Sequence, residues 1–124
     1  MSLTETLRQH FRNPVHVGKL RDADGVGRAE NPACGDVVEM SVKLCESRIV
    51  AVSFLCQGCS LAIGAASYLC EKIEGLSAEE VLALDANGLM REAGQGDGPI
   101  RHAFQLAVRA LQVAVQAAVE SMRD

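Results

Sequence analysis

The side chains of this 124-residue chain with the most chemistry are a few thiols, one carboxylate and one imidazole, placed where the chain changes direction. Cys56-Gln57-Gly58-Cys59 sets two thiols in a CxxC spacing where strand-like alternation gives way to helical spacing. Cys34 and Asp36 lie in Asn31-Pro32-Ala33-Cys34-Gly35-Asp36, just before the strongest strand pattern, and His102 falls in the first turn of the last helical segment. Thiolate and imidazole are good ligands for zinc and iron, and a carboxylate can complete a tetrahedral shell. Cys34, Asp36, Cys59 and His102 therefore make a complete Cys₂-Asp-His donor set, provided that the fold gathers them. The CxxC pair has three readings: a metal clip, a thiol-disulfide redox couple, or one working cysteine beside a bystander. Cys59, at the start of a helix, feels the positive end of the helix dipole, which favours thiolate. Cys56 either adds a third thiolate to Cys34 and Cys59 or continues the apolar face of its strand as a small buried side chain. Cys70, in mid-helix, reads as structural, and Cys45, at a strand end, as incidental. Gly35 and Gly58 let the backbone turn and leave room beside Cys34 and Cys59.

The elements that must position these groups follow from periodicity. Leu3, Leu7 and Phe11 mark one stripe of a short first helix, which Asn13-Pro14 ends. Arg21 to Ala33, rich in Gly, Asp and Asn, is either an irregular loop or a ragged edge strand. Val38, Met40, Val42 and Leu44 alternate with polar residues over Asp36 to Cys45, the mark of a half-buried strand. Glu46-Ser47-Arg48 forms a turn, and Ile49 to Cys56 returns as a second strand of a hairpin with Val50, Val52 and Phe54 as its core set. Cys59, Ile63, Ala66 and Cys70 then recur at helical spacing to about Ile73, with Gly75 as the stop. Ser77-Ala78-Glu79-Glu80 fits a capping box opening a short helix to Leu84. Asp85 to Ala93 adds another helical turn or two. Gly94 to Pro99 is a flexible loop, and Pro99 suits the start of a last helix reaching about Met122. The expected fold is α+β: a small antiparallel sheet of about three strands with helices packed on one face, residues 1–124 forming a single domain.

Composition excludes several classes. A hydrophobic fraction of 48% and a charged fraction of 23% are those of a globular chain. Three Phe, one Tyr and no Trp leave few stacking platforms, and a net charge of -4 opposes phosphate-backbone binding, so no nucleic-acid partner is expected. No apolar run reaches membrane-spanning length and the N-terminus lacks a signal-peptide core, so a cytoplasmic protein without a membrane partner is expected. Five cysteines in a reducing compartment speak for metal or thiol chemistry over a disulfide framework.

N-P-A-C-G-D followed by F-x-x-x-G-C-S-L-A-I-G-A-A-S resembles the IscU/NifU N-terminal family of iron-sulfur cluster assembly scaffolds. L-R-Q-H-F-R-N-P-V-H-V-G, Leu7 to Gly18, resembles that family's opening helix and turn, and L-A-V-R-A-L, Leu106 to Leu111, its last long helix. The resemblance implies a scaffold or carrier, not an enzyme, that receives sulfur from a cysteine desulfurase, combines it with iron in a transient [2Fe-2S] cluster and passes it to apo-protein recipients. It implies zinc as an occupant of the same site. Carried over, Cys34 matches the first cysteine, Asp36 the aspartate, Cys59 the second cysteine and His102 the histidine. The short segment between Cys59 and His102 is similar to the IscU branch. The family's third cysteine follows the histidine, and here that residue is Ala103. The Leu-Pro-Pro-Val-Lys motif that a specialised Hsp70 chaperone recognises is largely replaced in Gly96 to Arg101, so that partner is not expected. Homo-oligomers are compatible with the resemblance. The alternative is a non-assembling zinc-binding paralogue that regulates the desulfurase or a true scaffold through protein contacts. A thiol-disulfide oxidoreductase using Cys56 and Cys59 lacks the alternating βαβ pattern that such a motif normally occupies.

Overall fold

In the computed structural model, which describes residues 3–94 and 98–122, the alternating segment is a strand, and Val38, Met40, Val42 and Leu44 are all buried. Strands β1 (Gly25–Asn31), β2 (Asp36–Cys45) and β3 (Arg48–Gln57) form an antiparallel meander in the order β1-β2-β3. Arg21 to Ala33 thus contains an edge strand, which its few apolar side chains do not signal in the sequence. The β2–β3 connection is a tight pair, Glu46 and Ser47, with φ of 51° and 65°. Positive φ at both central residues is what a two-residue hairpin needs to match strand twist.

One core expectation is corrected. Val50 is 51% exposed, and Ile49, at 1%, takes its place inside. Lys43 pairs with Ala51 while Leu44 pairs with Ile49, so Val50 is an extra residue bulged out of the ladder. A bulge re-phases the two-residue alternation, which periodicity alone carries past Val50 unbroken.

Among the described residues there are five helices, α1 (Leu3–Arg12), α2 (Ser60–Ile73), α3 (Ala78–Leu82), α4 (Ala86–Ala93) and α5 (Gly98–Ser121); α2 and α5 pack on one face of the sheet and the others pack on those two. In α2 the small residues Ala62, Gly64, Ala65 and Ala66 let the helix approach its neighbours closely, with Leu69, Cys70 and Ile73 in the core. Gly75, at φ 86°, turns the chain out of α2. The Ser77 hydroxyl accepts from the Glu80 N–H and the Glu80 carboxylate from the Ser77 N–H, each at 3.0 Å, completing the capping box of α3, which stops at Leu82, short of Leu84. Of the α1 stripe, Leu7 is buried but Phe11 is 44% exposed, because α1 ends where the chain leaves the core. The Leu3 side chain and residues 95–97 of the expected flexible loop lie outside the described residues. Pro99 stands in the first turn of α5 as its fixed φ suits.

Two packing features set the site. Gly25 and Gly27 face α5, and a Cβ on Gly27 would overlap the Ala110 carbonyl oxygen and the Ala114 amide nitrogen. Bare backbone at β1 lets the long helix lie directly on the sheet edge and brings the start of α5 to the β1–β2 turn. The connection between α1 and β1 is tied to β3, where Phe54 N–H donates to the His16 carbonyl at 2.9 Å, and to β2, where Asp24 N–H donates to the Val42 carbonyl at 2.8 Å. It therefore crosses the sheet face that the helices leave open, over the buried pair Ser41 and Ser53. Among the described residues no helix is long and apolar enough to cross a membrane.

Candidate metal-binding cavity

The β1–β2 turn is built by Asn31. Its side-chain oxygen accepts from Ala33 N–H at 3.1 Å, and its carbonyl accepts from Gly35 N–H at 2.8 Å. Gly35 supplies the positive φ of 77° that closes the turn. The result leaves Cys34 exposed at the turn and points Asp36, the first residue of β2, inward at 7% exposure.

Asp36 organises the site. One carboxylate oxygen accepts from the Cys34 thiol at 3.2 Å and from the Cys59 thiol at 3.4 Å, while the other accepts from Cys59 N–H at 3.1 Å. A buried carboxylate needs such donors to offset its lost hydration. Cys59 is the N-cap residue of α2, so the Asp36 carboxylate also lies at the positive end of that helix. The Cys59 side chain makes no capping bond, which leaves its sulfur free for Asp36.

Gly58 makes this arrangement possible. A Cβ at Gly58 would overlap the Asp36 carboxylate, with its carbon only 2.8 Å away. In Gly58→Ala the carboxylate must move off Cys59 while the core stays intact. We expect metal affinity to fall roughly 10–100-fold, the usual cost of losing a group that holds ligands in place, together with a lower thermal melt, because the buried carboxylate loses donors. Metal titration alongside a melting curve checks this, and an unchanged affinity would contradict it.

Cys34, Asp36, Cys59, Ala103 and His102 share the wall of one cavity of about 310 Å³, completed by Asn31, Ala33, Leu61, Pro99 and Leu106. The fold thus gathers the four sequence-nominated donors about one space. His102, in the first turn of α5, comes from the opposite side to the two thiols and accepts no hydrogen bond from them. Ala103 is 5% exposed and presents a methyl group to the cavity. Among the described residues no three His, Cys, Asp or Glu side chains already stand in ligating geometry. Both thiols instead lie against Asp36. Thiols bind a metal as thiolates and release protons when they do, so affinity should rise with pH.

Cys56 is placed differently. It packs against the core, paired across the sheet with Val38, and is not part of the cavity wall. Burial first, then the charges of Asp36 and Cys59, push its thiol up to about 11 from an ordinary 9.0. At pH 8 its thiolate fraction is on the order of a hundredfold below that of an ordinary thiol, and only the thiolate alkylates. Iodoacetamide at pH 8, followed by peptide mass analysis, should therefore label Cys34 and Cys59 long before Cys56. Equal labelling would contradict the burial. A protonated Cys56 is also a poor partner for disulfide exchange. Cys70 is fully buried, its thiol against the Met40 sulfur at 3.8 Å and pushed up to about 12, a structural residue as expected.

Sequence reasoning passed over Gln105 and Arg109. With His102 they form a row along the exposed side of α5 and line a second cavity of about 280 Å³ with Glu30, Asn31, Pro32, Ala33 and Leu106. The signal was present as helical spacing, but polar residues on a helix ordinarily mark a solvated face.

The family model for the NifU-like N terminal domain matches residues 3–121. The chain is 37% identical over 106 residues to the iron-sulfur cluster assembly scaffold protein IscU 1 of Archaeoglobus fulgidus, covering 86% of this chain and 69% of that protein. It is 35% identical over 114 residues to the iron-sulfur cluster assembly scaffold protein IscU of Aquifex aeolicus, covering 90% and 73%. The fold is similar to that of the N-terminal part of a nitrogen-fixing NifU-like protein from Brucella abortus, with a TM-score of 0.74, 18% identity and coverage of 96% and 99%.

Proposed function

The chain belongs to the NifU-like N-terminal domain family, and on that premise we propose that it is an iron-sulfur cluster assembly scaffold or carrier whose cargo, iron or a transient [2Fe-2S] cluster, is held by Cys34, Asp36, Cys59 and His102. The observation that carries the reading is the Asp36 carboxylate drawing both thiols to one cavity that His102 also lines. Soft thiolates favour iron-sulfur clusters, and a shell with one oxygen and one nitrogen donor holds them less firmly, which suits cargo that must leave. Cys34 and Cys59 are exposed, so a partner's sulfur can reach them. In this reading a cysteine desulfurase supplies sulfur and apo-proteins receive the cluster. The same donors suit zinc. Cys56 is a reserve ligand that would have to turn away from the core, and lower metal content in Cys56→Ser would reveal it.

Anaerobic reconstitution with iron and sulfide, followed by visible spectra, metal analysis and transfer to an apo-ferredoxin, tests the reading. A protein that takes up no iron and transfers nothing overturns it.

Ala103 favours a second reading, a zinc-holding paralogue that regulates the desulfurase or a true scaffold without assembling clusters, because the cavity wall there is a methyl group. Ala103→Cys separates the two. Cluster assembly gained only in that variant supports the regulator, and assembly and transfer by the wild type remove it.

A further inference from the structure

The two cavities adjoin, with Asn31, Ala33, His102 and Leu106 as shared walls, so a ligand lying across that shared wall would reach from the space beside Cys34 and Cys59 along α5 to Arg109. The two ends of this paired cleft differ in character. One carries the thiols. The other carries Arg109, which makes no hydrogen bond or ion pair among the described residues, although Glu30 lines the same cavity. Glu30 is already engaged by Arg28 at 3.0 Å. An uncommitted guanidinium in a concave polar site is matched best by a carboxylate, which it can bind in bidentate fashion. Gln105, between His102 and Arg109, adds a neutral donor and acceptor.

We propose that this cleft binds a tripeptide-sized thiol bearing carboxylates, of the glutathione class, with a carboxylate on Arg109 and the sulfur beside Cys34 and Cys59.

Length selects the ligand. Seven residues of helix separate Arg109 from His102, about 10 Å of rise, and a helical side chain leans toward the N-terminus, which brings the guanidinium back toward Gln105. In glutathione the sulfur is on the middle residue and lies about eight bonds from the γ-glutamyl carboxylate, about 9 Å when extended, whereas in free cysteine about three bonds separate them, so free cysteine cannot bridge the two ends.

Bound in this way, the ligand supplies what the chain's own donor set lacks. A [2Fe-2S] cluster usually takes four thiolates, and the cavity wall offers two. The added sulfur would reach iron over the Ala103 methyl. This role rests on the scaffold reading, whereas the binding itself does not.

Glutathione titrated into the metal-free protein, followed calorimetrically and by amide shifts, should saturate and perturb Ala33, His102, Gln105 and Arg109. S-methylglutathione should bind equally well, and free cysteine should not bind. Arg109 is on the surface, so Arg109→Ala should keep the wild-type melt and bind about tenfold more weakly, or roughly 1.4 kcal/mol. No saturable binding, or binding unchanged in Arg109→Ala, overturns the proposal. A second arm loads iron and sulfide with either compound present. Glutathione should raise cluster retention and S-methylglutathione should not. If glutathione binds while no cluster loads under any condition, the site stands and the scaffold reading fails. If cluster loads but glutathione does not bind, the scaffold reading stands and this site falls.

Discussion

Cys34→Ala and Cys59→Ala are each expected to abolish the iron uptake and visible absorption that the proposed scaffold role predicts for the wild type on anaerobic reconstitution. Each variant removes one of only two thiols in the cavity wall, leaving one sulfur beside a carboxylate and an imidazole. Losing a group that merely supports a ligand costs roughly 10–100-fold in affinity, so losing a soft ligand from a thiol-poor set costs more. Both variants should still fold. Cys34 and Cys59 are exposed, and the bond from Cys59 N–H to Asp36 at 3.1 Å belongs to the backbone and survives the substitution. Cys45→Ala, at the far end of β2, is the control that keeps wild-type uptake. Metal analysis and spectra on the four proteins decide the matter. Equal, negligible metal in the wild type and both site variants would remove the proposed role of these residues.

The largest effect on stability is expected at Gly27. In Gly27→Val the new side chain must displace α5 backbone, since even a Cβ would lie 2.9 Å from the Ala114 Cα and overlap the Ala110 carbonyl oxygen. A helix held by Phe104, Leu111 and Val115 in the core cannot shift without opening that core. Overpacking of this kind costs about 3 kcal/mol, which for a domain of this size lowers the melting temperature by roughly 10 °C. Because α5 carries His102 and the Arg109 end of the cleft, metal and ligand binding should weaken with it. Gly98→Ala, where a Cβ meets nothing within 4 Å, should melt like the wild type. Similar melts for the two variants would refute the close β1–α5 contact. Urea denaturation gives the free-energy difference directly.

Strands with side chains repeating every two residues, and helices with capping signals, could be read from the chain because their causes are local. Val38 to Leu44, the Ser77–Glu80 box and the Gly75 stop all needed only neighbouring residues, and all stand in the structure. Val50 misled because a bulge is settled by the partner strand, and β1 was ambiguous because Gly25 and Gly27 contribute to packing by having no side chain. Phe11 misled because a stripe says which face is apolar, and not how far along the helix the core extends.

The candidate site divides in the same way. Residue types and their places at turns and helix starts nominated Cys34, Asp36, Cys59 and His102 from the sequence by itself, and the same motifs pointed to the family. Chemistry of this kind is a property of the side chain, so it can be read one residue at a time. Only the tertiary structure decided that one Asp36 oxygen faces both thiols, that Gly58 exists to make room for that carboxylate, and that Cys56 turns to the core while Cys59 turns to the cavity. It alone set Arg109 and the thiols in adjoining cavities that share the Asn31 and Ala33 turn as a wall. Those facts are distances between segments far apart in the chain, set by strand register and by how closely α5 lies on bare backbone, and no local pattern encodes them.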